Sequence, residues 1–390
     1  MNRRLMAWLL PGLLIAVPVG AAENGNEIEA MKTQIKNLSQ KVERLEAEQQ
    51  AASTDAGSAM AENTGNPSIS VVGTFAGSAM RGSGGIHGTS FFPLSEGEII
   101  FGADVDPHTR LDITVTAANG GMAVEEGFLT SRLPAGFRLR AGRKFIPFGR
   151  SNAVHPHALV YVDVPNGLLN LFGPEKFTGE GIFVDHPLFI GDSVHQFTIG
   201  FFRNANSVAF DPAGANRYTG MGRWTGLWDM SDTATLEIGS TFVSGRNGIA
   251  GGSRTDVLGG QFAIKSKAFD HSGWSLEGEW NRSRINRGSG AARTMTNGAY
   301  LLGEYDFNRN WLLFGRYDFS RSTGFVPESA YSAGGAWKVS EFQSLTLQYK
   351  HTQNALAQTA ANLGIAAGGR ANELLFRWVV AIGPHHAHSY

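Results

Sequence analysis

The fold the sequence predicts is all-β and transmembrane: an antiparallel closed barrel of about 16 strands, preceded by a short N-terminal coiled-coil helix. Three observations predict it. Short runs alternate apolar and polar residues from Ser68 almost to the C-terminal Tyr390, the first 22 residues read as an export leader, and the connections between runs alternate between tight turns and long loops. In Trp311-Leu312-Leu313-Phe314-Gly315-Arg316-Tyr317-Asp318-Phe319, Trp311, Leu313, Tyr317 and Phe319 fall on one face, with Arg316 and Asp318 on the other. Side chains alternate sides along a strand, so such a run has one face for lipid and one for water. A closed barrel repeats that pattern strand after strand.

Residues 1–22 predict a signal peptide. Arg3 and Arg4 give a charged start, Leu5 to Val19 an apolar stretch, and Val19-Gly20-Ala21 or Gly20-Ala21-Ala22 a small-residue cleavage site. No later window approaches the length of a membrane-spanning helix, so a chain that crosses a bilayer does so as strands. Without Arg3 and Arg4 the basic residues fall from 33 to 31 against 34 acidic ones, a balance that gives nucleic acid no reason to bind. The chain has no cysteine, so no disulfide holds it together. Its 50 glycines and 17% charged residues suit a large sheet with one face in lipid.

Residues 23–66 predict a coiled-coil helix and a flexible linker. Ile28, Ile35 and Val42 occupy a positions and Met31, Leu38 and Leu45 d positions of a heptad over 27–49, a pattern that favours a parallel homo-oligomer. The Ala, Ser, Thr, Gly and Asn of 51–66 form the linker. Residues 67–390 form the barrel, with strands expected near 68–80, 95–105, 109–118, 123–133, 136–144, 178–186, 194–203, 216–228, 233–244, 254–267, 272–284, 294–307, 311–321, 329–339, 343–353 and 370–383. Tight turns, among them Asp106-Pro107-His108, Asn308 to Asn310 and Ser340 to Phe342, mark one end of the barrel. Trp228, Trp274, Phe307, Trp311 and Trp337 flank those turns, as aromatic rings at a membrane–water boundary do. Short turns at the periplasmic end and long loops outside are the layout of an outer-membrane barrel.

The longest connection, 145–177, contains Phe145, Phe148, Leu159 and Phe172 and is too apolar to lie in water, so it is expected to fold into the lumen. Arg138, Arg140 and Lys144 share the polar face of the strand that feeds it. Together with Asp163 and Glu175 they are the candidate lining of a constriction. Parity also puts Arg110, Arg316, Lys338, Lys350 and Arg377 inside, with acids including Glu98, Glu237, Glu277, Glu279, Glu304, Asp318 and Glu373, which leaves the lumen mixed in sign. His155 and His157 are the candidate metal ligands, with Asp163 or Glu175 to complete a site for zinc; otherwise no cofactor is expected. His385, His386 and His388 form a second His-rich tract. There is no Gly-x-Ser-x-Gly or His-Glu-x-x-His, and nothing else points to an enzyme.

The text from Gly142-Arg143-Lys144-Phe145 through Phe172-Gly173-Pro174-Glu175, followed by Gly179-Glu180-Gly181, resembles a family of proteobacterial outer-membrane proteins with a signal peptide, a short coiled coil and a porin-like barrel. These are often labelled zinc-regulated outer-membrane receptors and are distantly similar to phosphate-selective and siderophore porins. The resemblance implies a barrel and a link to metal supply. Three functions are compatible with the residues: a porin, trimeric through coil and barrel, passing small hydrophilic solutes; a channel specific for a metal ion or chelate; and a structural tether or adhesin. The partners expected are outer-membrane lipid, further copies of the chain and small solutes.

Overall fold

The computed structural model describes residues 67–383, apart from short stretches at 83–84, 91–92, 119, 205, 211–217, 249–252, 268–271 and 289–291. The signal peptide, the heptad and the His385–His388 tract lie outside the described residues.

Among the described residues seventeen strands follow one another as β1 (Ser68–Gly82), β2 (Gly85–Ser90), β3 (Leu94–Asp106), β4 (Thr109–Ala118), β5 (Gly121–Arg132), β6 (Arg138–Phe145), β7 (Thr178–Ile190), β8 (Ser193–Asn204) and β9 (Tyr218–Ser231). They continue as β10 (Ala234–Arg246), β11 (Arg254–Lys267), β12 (Gly273–Ile285), β13 (Thr294–Asp306), β14 (Trp311–Ser322), β15 (Glu328–Ser340), β16 (Gln343–Gln353) and β17 (Ala371–Ile382). Every pairing is antiparallel, and β1 closes the sheet by pairing with β17 from Val71↔Ile382 to Gly82↔Ala371. On its other side β1 pairs with β3 over its first half and with β2 over its second, so β2 and β3 share one strand position and the barrel is sixteen-stranded.

Burial alternates as the sequence pattern requires. On β14, Leu312, Phe314, Arg316, Asp318 and Ser320 are buried inside, and Trp311, Leu313, Gly315 and Tyr317 are exposed outside. Ile182, Ile199, Phe201, Leu301, Leu347 and Leu374 extend the exposed apolar surface around the barrel. A patch of that extent is not what water solvates. At the tight turns Phe307, Trp311 and Trp337 are exposed; Trp311 and Trp337 are cross-strand partners and stack with ring centroids 5.6 Å apart.

The barrel interior has its own apolar core, which positions the site. Ile146, Phe148, Phe172 and Phe177 of the long connection pack on Phe183, Phe202, Met221, Val243 and Val257 from β7, β8, β9, β10 and β11. A helical segment, Asn166–Phe172, is buried along its whole length. A second, Ala357–Leu363, lies in the β16–β17 connection and reaches the first through Thr359 and Asn170.

Candidate functional site

The 145–177 connection crosses the lumen, held by polar contacts to strands all around it. Asn152 closes its neck: its Nδ2 donates to the carbonyls of Ile146 and Phe177, and its Oδ1 accepts from the Phe177 N–H. Arg150 then reaches Glu237 on β10 (2.5 Å) and Glu277 on β12 (3.1 Å), while its own N–H and that of Ser151 donate to Glu279. Arg377 on β17 donates to the carbonyls of Pro156 and Leu159. Asp163 accepts from Arg316 on β14 at 2.8 Å and from Lys350 and Gln348 on β16 at 2.5 and 2.6 Å. Asn166 donates its N–H to Asp318, and Asn170 donates to Glu328 on β15.

Beside this strap remains an open cavity of about 1190 Å³. Arg138, Arg140 and Lys144 line it, as their parity predicts. Arg138 and Arg140 both pair with Asp185 on β7, at 3.3 and 2.6 Å. Lys144 is buried, with its ammonium 5.0 Å from the ring centre of Phe128. Among the described residues, Arg150, Arg223, Lys265, Lys267, Lys338 and Arg377 complete nine basic residues on the wall, against six acids: Asp185, Glu237, Glu277, Glu304, Asp306 and Glu341. Arg223 was not among the residues expected inside, although strand period on β9 would mark it; nothing local in the sequence marks Arg150, whose place depends on how the strap folds.

Two of the expected lining residues are elsewhere. Asp163, on the strap, is taken up by Arg316 and Lys350 of the wall, and Glu175 is exposed; neither lines the cavity. Asp318, expected to face water, is fully buried between Arg316 and the Asn166 N–H. Asp163 and Asp318 share one reason: where the strap is laid against the wall, charges on both become buried anchors. Burial alone would raise the Asp163 pKa, but Arg316 and Lys350 outweigh it and hold the carboxyl well below the usual carboxylate range.

The structure brings His155 and His157 together, their rings stacked with centroids 5.6 Å apart. They are not in a continuous extended run: a 3-10 turn, Pro156–Ala158, intervenes. Their carboxylate neighbours are not Asp163 or Glu175 but Glu98 on β3 and Glu125 and Glu126 on β5. Burial alone would lower the His155 pKa, yet hydrogen bonds with Glu125, Glu126 and Glu98 push it up to about 12. Sequence spacing could not show these partners, which lie 29 to 59 residues away.

No family model matches the chain. An Aquifex aeolicus (strain VF5) protein described as uncharacterized is 24% identical over 341 residues, which is 77% of this chain and 70% of that one. Among solved structures, an anion-selective porin from Comamonas acidovorans is 13% identical, with a TM-score of 0.54 over 81% of this chain and 100% of that one. A loop L8 deletion mutant of OmpT, an outer membrane protein of Vibrio cholerae, is 12% identical, with a TM-score of 0.53 over 81% and 99%. At these identities the likeness is one of fold, and it is the sixteen-stranded, porin-like barrel. It lends no support to the zinc-regulated receptor label.

Proposed function

We propose that the chain is an outer-membrane porin, a water-filled channel for small hydrophilic solutes in which the 145–177 strap is the constriction and small anions pass more readily than cations. The observation that supports this best is the open, charge-lined cavity beside the strap, inside a barrel whose outer surface is apolar. Charged groups lining a pore set its selectivity, and this wall carries nine basic residues against six acidic ones. The comparison porin from Comamonas acidovorans is described as anion-selective, which agrees with that balance. The tight turns would face the periplasm, and further copies of the chain would associate through the barrel and the heptad of residues 27–49.

Single-channel recording in planar bilayers tests the reading. Stable current steps are expected, with a reversal potential in a salt gradient displaced toward that of the anion. Reconstituted barrels that carry no current would overturn the channel in favour of a tether, and a displacement toward the cation would overturn the anion preference alone.

A further inference from the structure

The His155–His157 cluster has more carboxylates than an anchor for the strap requires. Glu98 is fully buried, and its two oxygens face the two imidazoles: Oε1 lies 2.8 Å from His157 Nδ1, and Oε2 lies 3.3 Å from His155 Nδ1. Glu125 Oε2 is 3.5 Å from the same His155 Nδ1. The other ring nitrogen of His155, Nε2, lies 3.0 Å from Glu126 Oε2. Both ring nitrogens of His155 thus face carboxylates, and a metal ion would take the place of the Nδ1 proton while the Nε2–H stays with Glu126, the arrangement common to metal-bound histidines. Donor atoms of Glu98, His155 and His157 all lie within 4.8 Å of one another, and so do those of Glu96, Glu98 and Glu125.

A backbone irregularity assembles this set. Consecutive residues of a strand point to opposite faces, so Glu125 and Glu126 should not both reach one cluster. The β4–β5 register shifts here, from Thr114↔Glu126 to Val115↔Val124, which leaves Glu125 as the extra residue of a bulge. Bulges re-aim side chains in this way beside functional sites. The result puts four carboxylates around two imidazoles in a mostly buried space, an excess of negative charge that a divalent cation would offset.

We propose that Glu98, His155 and His157, with Glu125 completing the set, bind one divalent transition-metal ion of the zinc class and so clamp the strap to the β3–β5 wall. Mixed imidazole and carboxylate ligation suits that class of ion rather than magnesium or calcium. The site stands independently of the conductance reading, since binding is measured on the purified protein with no current recorded.

The test is titration of the chelator-treated full chain in detergent with cobalt(II), followed by its visible absorption and by competition with zinc. A His385→Ala, His386→Ala, His388→Ala variant removes the competing tract. Expected is one cobalt ion per chain in both forms, with affinity lowered at least about tenfold by His157→Ala and by Glu98→Gln. The folded state of each variant is checked by its shift on heating in denaturing gels. Absence of cobalt binding, loss of binding in the tail variant, or unchanged affinity in His157→Ala and Glu98→Gln overturns the proposal. Should those variants fail to fold, X-ray absorption of the zinc-loaded tail variant decides: two imidazoles with carboxylate oxygen at about 2.0–2.2 Å support the site, and any set without histidine overturns it.

Discussion

Asp163 is the residue at which the strap's position is most concentrated, since one carboxylate there satisfies Arg316, Lys350 and Gln348 together. Arg316 also lies over the Tyr161 ring, 4.5 Å from its centre, so the same cation fixes the preceding turn of the strap. Removing one partner of a buried ion pair costs about 3–5 kcal/mol, because the remaining charge stays buried without compensation. Asp163→Asn is therefore expected to loosen the strap at neutral pH, seen in single-channel records as a fluctuating current in place of a steady step. The pH dependence has a definite sign. The folded-state pKa lies below the ordinary unfolded value of about 3.9, so the anchor's contribution is complete above that value and is lost only as the pH falls through the lower one. Lowering the pH from 7 to 4 should leave this anchor intact, and a strap that loosens near pH 5 in the native protein would contradict it. Gly167 is a second point of dependence. A Cβ there would sit 2.9 Å from the Ala299 backbone nitrogen and 3.2 Å from the Gly298 Cα, and backbone cannot swing aside as a side chain can. Gly167→Ala is expected to cost about 1–3 kcal/mol by overpacking, read as a lower denaturation midpoint of the detergent-solubilised barrel, while Gly220→Ala, where nothing lies within 4 Å, should be neutral.

At the scale of elements, the strands were the most legible part of the chain, because a lumen and a lipid face impose period two on every one of them. Expected and observed ends of β4 coincide at 109–118, and those of β11 at 254–267. Two departures have local causes. The segment Gly85–Ser90 has too few large side chains to show alternation, so its pairing with β1 was not foreseen. The strand expected at 178–186 ends at His186, but β7 runs on through Pro187 to Ile190. Pro187 pairs with Gln196 of β8, and on its other side β6 has already ended at the Arg138↔Asp185 pair, so no ladder bond is lost there. Parity makes its own prediction. Leu313→Arg puts a charge on the lipid face, at a cost that reaches roughly 2–4 kcal/mol at mid-bilayer and is smaller toward the Trp311 boundary, whereas Lys338→Ala changes a half-exposed lumen residue. Folding yield into lipid vesicles should fall sharply for the first and hold for the second; equal yields would mean the outer face is not in lipid. Deleting His155 to Gly167 removes the part of the strap that spans the lumen and should raise the conductance step, while an unchanged step would place the narrowest point elsewhere.

For the molecule as a whole, the sequence carried the wall and not the strap. Arg138, Arg140 and Lys144 were readable because their faces follow from strand period alone. Asp163, Glu175 and the partners of His155 were not, because they depend on where an irregular segment of over thirty residues comes to rest, and no periodicity encodes that. The consequence for function is that the lumen's sign cannot be summed from parity: Asp318 and Glu328 are withdrawn beneath the strap, Asp163 of the strap is turned onto Arg316 and Lys350, and among the described residues the wall left facing the cavity has an excess of basic residues. This balance can be inverted at two positions. Arg140 on β6, paired with Asp185, and Arg223 on β9, which donates to Gln261, both line the cavity. A unit charge about 4 Å from a passing ion is worth about 1 kcal/mol in water, a factor of about five in local concentration. The Arg140→Glu, Arg223→Glu double variant is thus expected to move the reversal potential from the anion side to the cation side. Because these groups act across water, the effect should be large in 0.1 M salt, where charges reach about 10 Å, and small in 1 M salt, where they reach about 3 Å. A reversal potential that stays on the anion side in 0.1 M salt, in a variant that still inserts and conducts, would mean that the basic wall does not set selectivity.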